Sequence, residues 1–221
     1  MKPSIIWPIN TVPNSLVERL LSFYKSQTPV DHYYNNVDYR GVIPSVQHMP
    51  ELYKFIETLG YKIDYNYKPL GNFFETNICY PIHADTGKIG TLQPHDTNYF
   101  VFLIPLFVPE NCNSYLFLLN QEWYEEASTF MVQNWKKGWN NMINDYKDKP
   151  IKNFNFEPWD KRLNNLNVIL TEETLNGMST HLIYKWKVSS MISFPCTQMH
   201  FSTTDSKDQK IGLSLRLRLL H

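Results

Sequence analysis

Two side chains able to bind a metal stand two positions apart at His83-Ala84-Asp85, between the apolar run Ile78-Cys79-Tyr80-Pro81-Ile82 and the turn Thr86-Gly87. In an extended backbone side chains alternate faces, so residues i and i+2 point the same way and can close on one ion. A histidine and a carboxylate so placed form one edge of a 2-His-1-carboxylate facial triad, the donor set that leaves positions open on non-heme Fe(II). A His-x-Asp triplet arises readily by chance in a chain with seven histidines, so a further ligand from elsewhere has to decide the matter. His200 is the best candidate. His95 is a rival, although Pro94 before it and Asp96-Thr97 after it have the composition of a turn. His48 reads as a surface or capping residue, His181 as part of an ordinary strand and His221 as a frayed terminus.

Ten positions past His200 a second chemical feature begins. Lys210, Gly212, Ser214, Arg216 and Arg218 take one face of an alternating run, and Ile211, Leu213, Leu215, Leu217 and Leu219 take the other. Such a strand could lie on a surface with its cations in water. It could also line an enclosed interior, where Lys and Arg offer charge-assisted hydrogen bonds to a carboxylate.

Together, His83, Asp85, His200 and the strand from Lys210 resemble the iron(II)- and 2-oxoglutarate-dependent oxygenases. The resemblance covers roughly residues 70–120 and 186–219. It implies that His83, Asp85 and His200 hold Fe(II). It further implies that Lys210, at the offset seen in prolyl 4-hydroxylase-like members, binds the far carboxylate of 2-oxoglutarate. Arg216, six positions on as in the nucleic-acid-dealkylating branch, would assist it, with Ser214 as a hydroxyl donor between them. Asn72, Phe74 and Asn77 on a preceding strand are further candidates for cosubstrate contact, and if Asn72 and Phe74 share the inner face, Phe73 packs outward. The reaction implied is oxidative decarboxylation of 2-oxoglutarate by O₂ to succinate and CO₂, coupled to hydroxylation of a substrate, with ascorbate as an accessory reductant. The fold implied is a double-stranded β-helix, a jelly-roll or cupin-like core. The chain departs from the family pattern in a long stretch between Asp85 and His200 and in Gly212, where some members carry Ser. Two other readings keep the fold: a non-catalytic cupin-like protein that binds a metal or ligand, and a zinc- or manganese-dependent isomerase of the cupin kind.

The elements that must position these residues can be read from period and punctuation. Asn14–Tyr24 and Met49–Gly60 carry apolar residues at helical spacing, the second ending in the glycine expected past a helix C-terminus. His32–Arg40, rich in turn formers and aromatics, reads as a loop, either over a pocket mouth or facing solvent with its tyrosines. Strands are expected at Tyr61–Tyr67, Asn72–Ile78, Asn98–Phe107, Ser114–Gln121, Met178–Trp186, Val188–Pro195 and Lys210–Leu219. The Glu122–Lys137 run reads as helix. The expected organisation is a single domain over 1–221, mainly β with flanking helices (α+β). Residues 1–60 form a mainly helical support, 61–121 and 166–221 the β-helix core, and 122–165 a mostly helical insertion that accounts for the long gap between ligands.

Composition sets outer limits. Lys+Arg 21 against Asp+Glu 21 leaves no net charge, so no global field draws the chain to nucleic acid or to an anionic membrane. A small-molecule or peptide substrate is favoured over nucleic acid. No apolar run has the length of a membrane span, and Pro3 and Pro8 interrupt the start before a signal-peptide core could form, which points to a cytoplasmic protein. Cys79, Cys112 and Cys196 are odd in number and widely spaced, which suggests small buried thiols rather than a disulfide framework or zinc knuckle. No G-x-S-x-G, Gly-rich phosphate loop, H-E-x-x-H or zinc-deaminase signature occurs. The sequence does not specify the substrate or the oligomeric state.

Overall fold

A strand that alternates apolar and cationic residues needs an apolar layer on one face and polar partners on the other. The computed structural model supplies both. It describes residues 6–9, 12–27, 29–34, 37–40, 44–77, 80–85, 98–110, 112–123, 151–152, 180–204 and 208–220, with the backbone alone at 6–9, 29–34, 37–40, 80–83, 121, 123 and 151–152. In chain order the elements are β1 (Ile6–Ile9), α1 (Asn14–Ser26), β2 (Pro29–Tyr34), β3 (Val37–Arg40), α2 (Pro50–Thr58), β4 (Leu70–Thr76), β5 (Tyr80–His83), β6 (Tyr99–Phe107), β7 (Ser114–Trp123), β8 (Ile151–Lys152), β9 (Thr180–Lys185), β10 (Met191–Pro195), β11 (Gln198–Thr204) and β12 (Lys210–Arg218).

Seven strands form one sheet in the order β1-β10-β6-β12-β4-β3-β2. The second sheet runs β5-β11-β7-β8, with β9 also paired to β7. Neighbours in both sheets are antiparallel. From β4 onward the chain passes back and forth between the sheets: β4, β6, β10 and β12 lie in the first, and β5, β7, β9 and β11 in the second.

The two faces of β12 meet different surroundings. Leu213, Leu215 and Leu217 join Phe73, Phe100 and Phe102 in an apolar layer with Leu16, Val17 and Leu20 of α1 and Leu52, Tyr53 and Ile56 of α2. Each such side chain contributes up to about 1.5–3 kcal/mol by leaving water. Helix α2 starts with Pro50 in its first turn, where the missing N–H costs nothing, and stops at Gly60, which takes φ +95° and returns its N–H to the Glu57 carbonyl at 2.9 Å. Between the sheets a second cluster unites Tyr99, Val101 and Leu103 of β6, Leu116 and Leu118 of β7, and Ile192 and Phe194 of β10. Phe74 packs against this inner cluster while Phe73 belongs to the outer one, as the period-2 reading requires.

Two glycines allow the close approach of β4 and β12. Gly71 has φ +124°, and a Cβ on it would lie 1.9 Å from the Ser214 carbonyl oxygen. A Cβ on Gly212 would lie 2.5 Å from Cζ of Phe74. Position 212 therefore has no room for a side chain, because the Phe74 ring occupies that space.

Several sequence expectations need correction. His32–Arg40 is no loop; β2 and β3 pair with each other and extend the large sheet beyond β4, so residues 1–60 carry three strands besides their two helices. Tyr61–Tyr67 makes only a single bridge, Ile63 to Leu219, before a turn, because Asp64 accepts hydrogen bonds from the Asn66 backbone and side chain and closes the backbone on itself. Glu122 and Trp123 are not helical. They continue β7 and pair with Lys152 and Ile151 of β8, so the 122–165 segment begins within the sheet. The rest of its expected helix lies outside the described residues.

Candidate metal and carboxylate site

The backbone ladder brings the strands of the two candidate histidines together: β5 and β11 pair antiparallel with His83 directly across from His200. Two residues beyond His83, Asp85 is anchored by its own N–H, which donates to the Cys196 carbonyl at 2.9 Å. The Asp85 and His200 side chains are 6% and 4% exposed as residues and face each other, with His200 Nε2 3.6 Å from Asp85 Oδ2. The side chain of His83 lies outside the described set, and among the described residues no cluster of three His, Cys, Asp or Glu side chains forms.

The orientation of His200 is fixed from behind. Its Nδ1 lies 2.9 Å from the Gln198 carbonyl, an arrangement in which Nδ1–H donates and Nε2 keeps its lone pair toward Asp85. Gln198 is itself tied to the neighbouring strand, donating its side-chain amide to the Leu119 carbonyl. Phe194, from the opposite sheet, meets the imidazole edge-on at 4.8 Å. Burial holds the imidazole below the ordinary histidine range, against the opposing pull of Asp85 and of the Gln198 carbonyl. A neutral imidazole is the form that binds a metal.

The 3.6 Å separation is longer than a hydrogen bond. Two ligands each about 2.1 Å from one ion, at roughly 90–110°, stand about 3.0–3.4 Å apart. Asp85 and His200 are therefore spaced suitably for adjacent ligands of a divalent cation.

Arg216 completes the surroundings of Asp85. Its Nη2 donates to Asp85 Oδ1 at 2.6 Å, leaving Oδ2 toward His200. The residue is 7% exposed, and its Nε and Nη1 are buried with no hydrogen-bond partner among the described residues. A guanidinium buried with two donors unmet, beside a buried carboxylate and imidazole, is suited to an anion entering the same space.

Six positions earlier, Lys210 reaches into the same inter-sheet space. It is 1% exposed, donates to Ser114 Oγ on β7, and lies over the Trp186 ring at 4.6 Å from the centroid. Ser114 in turn donates to the Thr203 carbonyl at 2.9 Å. Ser214 lies between the two cations on the same strand and pairs in register with Asn72 of β4; both are only partly buried. The cationic face of β12 is thus turned to the interior.

No known protein family and no curated protein matches this sequence. Among solved structures, the chain is similar to a prolyl-4-hydroxylase of Pseudomonas putida, at 9% identity and TM-score 0.47 over 97% of this chain and 92% of that one. It is also similar to HygX of Streptomyces hygroscopicus, solved with nickel and 2-oxoglutarate bound, at 12% identity and TM-score 0.47 over 96% and 81%. A third is SnoK, a non-heme alpha-ketoglutarate-dependent carbocyclase from nogalamycin biosynthesis, at 11% identity and TM-score 0.49 over 96% and 78%.

Of the remaining candidates, Asn77 is exposed past the end of β4 and does not share the face of Asn72 and Phe74. His48 caps a turn with Ser45 at 2.9 Å, and His181 is exposed on β9 beside Asn120 at 3.1 Å. His95 lies outside the described residues. Cys112 and Cys196 are buried. Sequence reasoning missed Ser114, Trp186, Phe194 and Gln198. Each lies at a strand end or within an apolar strand, and only the strand pairing shows that it borders the ligands.

Proposed function

We propose that this protein is a non-heme Fe(II)- and 2-oxoglutarate-dependent oxygenase, a hydroxylase built on a double-stranded β-helix of the jelly-roll kind. The observation that carries the reading is the buried constellation of His200, Asp85 and Arg216, set where the ladder aligns His83 with His200. The strand order, β10-β6-β12-β4 facing β5-β11-β7-β9, supports the β-helix assignment.

His83, Asp85 and His200 would hold the metal, which when bound supplies the redox chemistry that couples O₂ and 2-oxoglutarate to substrate oxidation, giving succinate and CO₂. The chain's own contribution is position and charge. Gln198 keeps the His200 Nδ1 proton in place, so Nε2 remains a donor. Arg216 fixes which Asp85 oxygen faces the ion and offers its unmet N–H groups to the cosubstrate. Lys210 supplies the counter-charge for the far carboxylate, with Ser214 and Asn72 on the wall between. The leucine and phenylalanine cluster around β6, β7 and β10 excludes water. The substrate is a small molecule or peptide, the setting is cytosolic, and ascorbate would return iron oxidised in uncoupled turnover to Fe(II).

The test is succinate formation from 2-oxoglutarate after anaerobic loading with Fe(II) and admission of O₂, together with a thermal shift on adding Mn(II). Both signals are expected in the unaltered protein and absent in Asp85→Ala and His200→Ala. A metal shift without succinate would leave a binding protein, and no metal shift would dismiss the ligand assignment.

A further inference from the structure

Trp186 follows β9 and is 4% exposed, with its indole Nε1 buried and without a hydrogen-bond partner among the described residues. An indole N–H is a donor only, and leaving a buried donor unmet is costly, so such a group marks a place where an acceptor is missing. The residue is held firmly. Its backbone N–H donates to the Ser114 carbonyl at 2.8 Å, and Phe74 meets its ring edge-on at 5.7 Å. The Lys210 ammonium stands over the same ring, tethered by Ser114 Oγ. Two buried donors, one of them charged, thus neighbour each other at the Lys210 end of the interior, and the contact with the ring face leaves the in-plane N–H free for another partner.

We infer that Trp186 is a further cosubstrate-binding residue: its Nε1–H donates to the carboxylate that Lys210 neutralises, so the far end of the ligand is held by an ammonium and an indole together. This rests on the proposed use of 2-oxoglutarate and adds a residue to it. Ser114 is the positioning residue, since its hydroxyl holds the ammonium over the ring. A ligand lacking the far carboxylate would leave the indole N–H unmet.

The experiment is calorimetric titration of Mn(II)-loaded protein, without air, with 2-oxoglutarate and with 2-oxopentanoate, which keeps the keto acid and drops the far carboxylate. Trp186→Phe preserves a ring face for Lys210 and an edge for Phe74 while deleting the N–H. It should weaken 2-oxoglutarate binding about tenfold or more, the scale of one hydrogen bond to a charged group, and leave 2-oxopentanoate within about twofold. Lys210→Met should likewise narrow the gap between the two ligands. Equal weakening of both ligands in Trp186→Phe, or no change in either, overturns the inference while leaving the cosubstrate reading intact. Unaltered protein that holds Mn(II) but does not bind 2-oxoglutarate overturns both. If Trp186→Phe does not fold, nitrogen-15 spectra of the unaltered protein decide: of the six tryptophan indole signals, one should shift on adding 2-oxoglutarate and stay in place with 2-oxopentanoate. Six unmoved signals under saturating 2-oxoglutarate overturn the inference.

Discussion

Gly212→Ala is the smallest change that should disturb the candidate site, and its cost can be worked from three distances. The new Cβ would lie 2.5 Å from Phe74 Cζ, 3.0 Å from Cε1 and 3.1 Å from Cε2. Carbon atoms rest at about 3.5–4.0 Å, so the ring has to retreat by roughly 1 Å. Retreat is opposed by Trp186, which meets Phe74 edge-on, and by the inner cluster on which Phe74 packs. Overpacking of this kind costs about 1–3 kcal/mol, which in a domain of this size lowers the melting temperature by about 2–12 °C. Phe74→Leu removes the atoms that clash. In that background Gly212→Ala should cost about 0.5 kcal/mol or less, giving a coupling energy of about 1–2 kcal/mol in a double-mutant cycle measured by urea unfolding. Additivity of the two substitutions within about 0.5 kcal/mol would refute the argument, because it would mean that the ring does not occupy the space above Gly212.

Gly71→Ala should be far more damaging. Its Cβ would meet a backbone oxygen at 1.9 Å, and φ +124° is strained for alanine, so loss of cooperative unfolding by circular dichroism is expected, whereas a melting point within a few degrees of the parent would contradict the β4–β12 approach. Asp64→Ala should destabilise by about 2–3 kcal/mol in urea unfolding, since the buried carboxylate pairs with Arg218 at 2.5 Å and accepts from Asn66 at 3.0 and 3.1 Å; a loss below about 1 kcal/mol would show that the Ile63–Tyr67 turn is held otherwise. Tyr184 is pushed up to about 12 by burial in the inner cluster, against the Ser190 hydroxyl, which favours ionisation. A raised folded value means that the unfolded chain loses this proton first. The contribution is therefore full below about pH 10 and is lost as pH rises toward 12, by about 2–3 kcal/mol in all. Tyr184→Phe should flatten that part of the stability profile, and an unchanged slope between pH 9.5 and 11.5 would exclude Tyr184 as its source.

The candidate site was legible in the sequence as a proposal where chemistry and period coincide. His83-Ala84-Asp85 and the alternation from Lys210 specify residue types, spacing and faces at once, and the strand register then places Arg216 on Asp85. Ser114 and Trp186 were not legible, because serine at a strand start and tryptophan at a strand end satisfy ordinary packing equally well, and only pairing across β7 brings them to Lys210. The β2–β3 hairpin was missed for a related reason. Tyrosine and asparagine in His32–Arg40 carry turn and strand signals together, and the free edge of β4 settles the competition in favour of strand. At Tyr61–Tyr67 the apolar-polar alternation was genuine, but the local hydrogen bonds of Asp64 outcompeted a ladder.

β12 comes last among the strands yet sits in the middle of the large sheet, between β6 and β4. During synthesis, β4 and β6 emerge long before the strand that joins them, and Asp85 waits 131 residues for Arg216. Until then two long apolar edges have no partner, and such edges template pairing between chains. Folding of this chain is consequently a late, all-at-once closure of slow, high-contact-order type, and its yield in a cell should depend on holding chaperones more than on the stability of the finished protein.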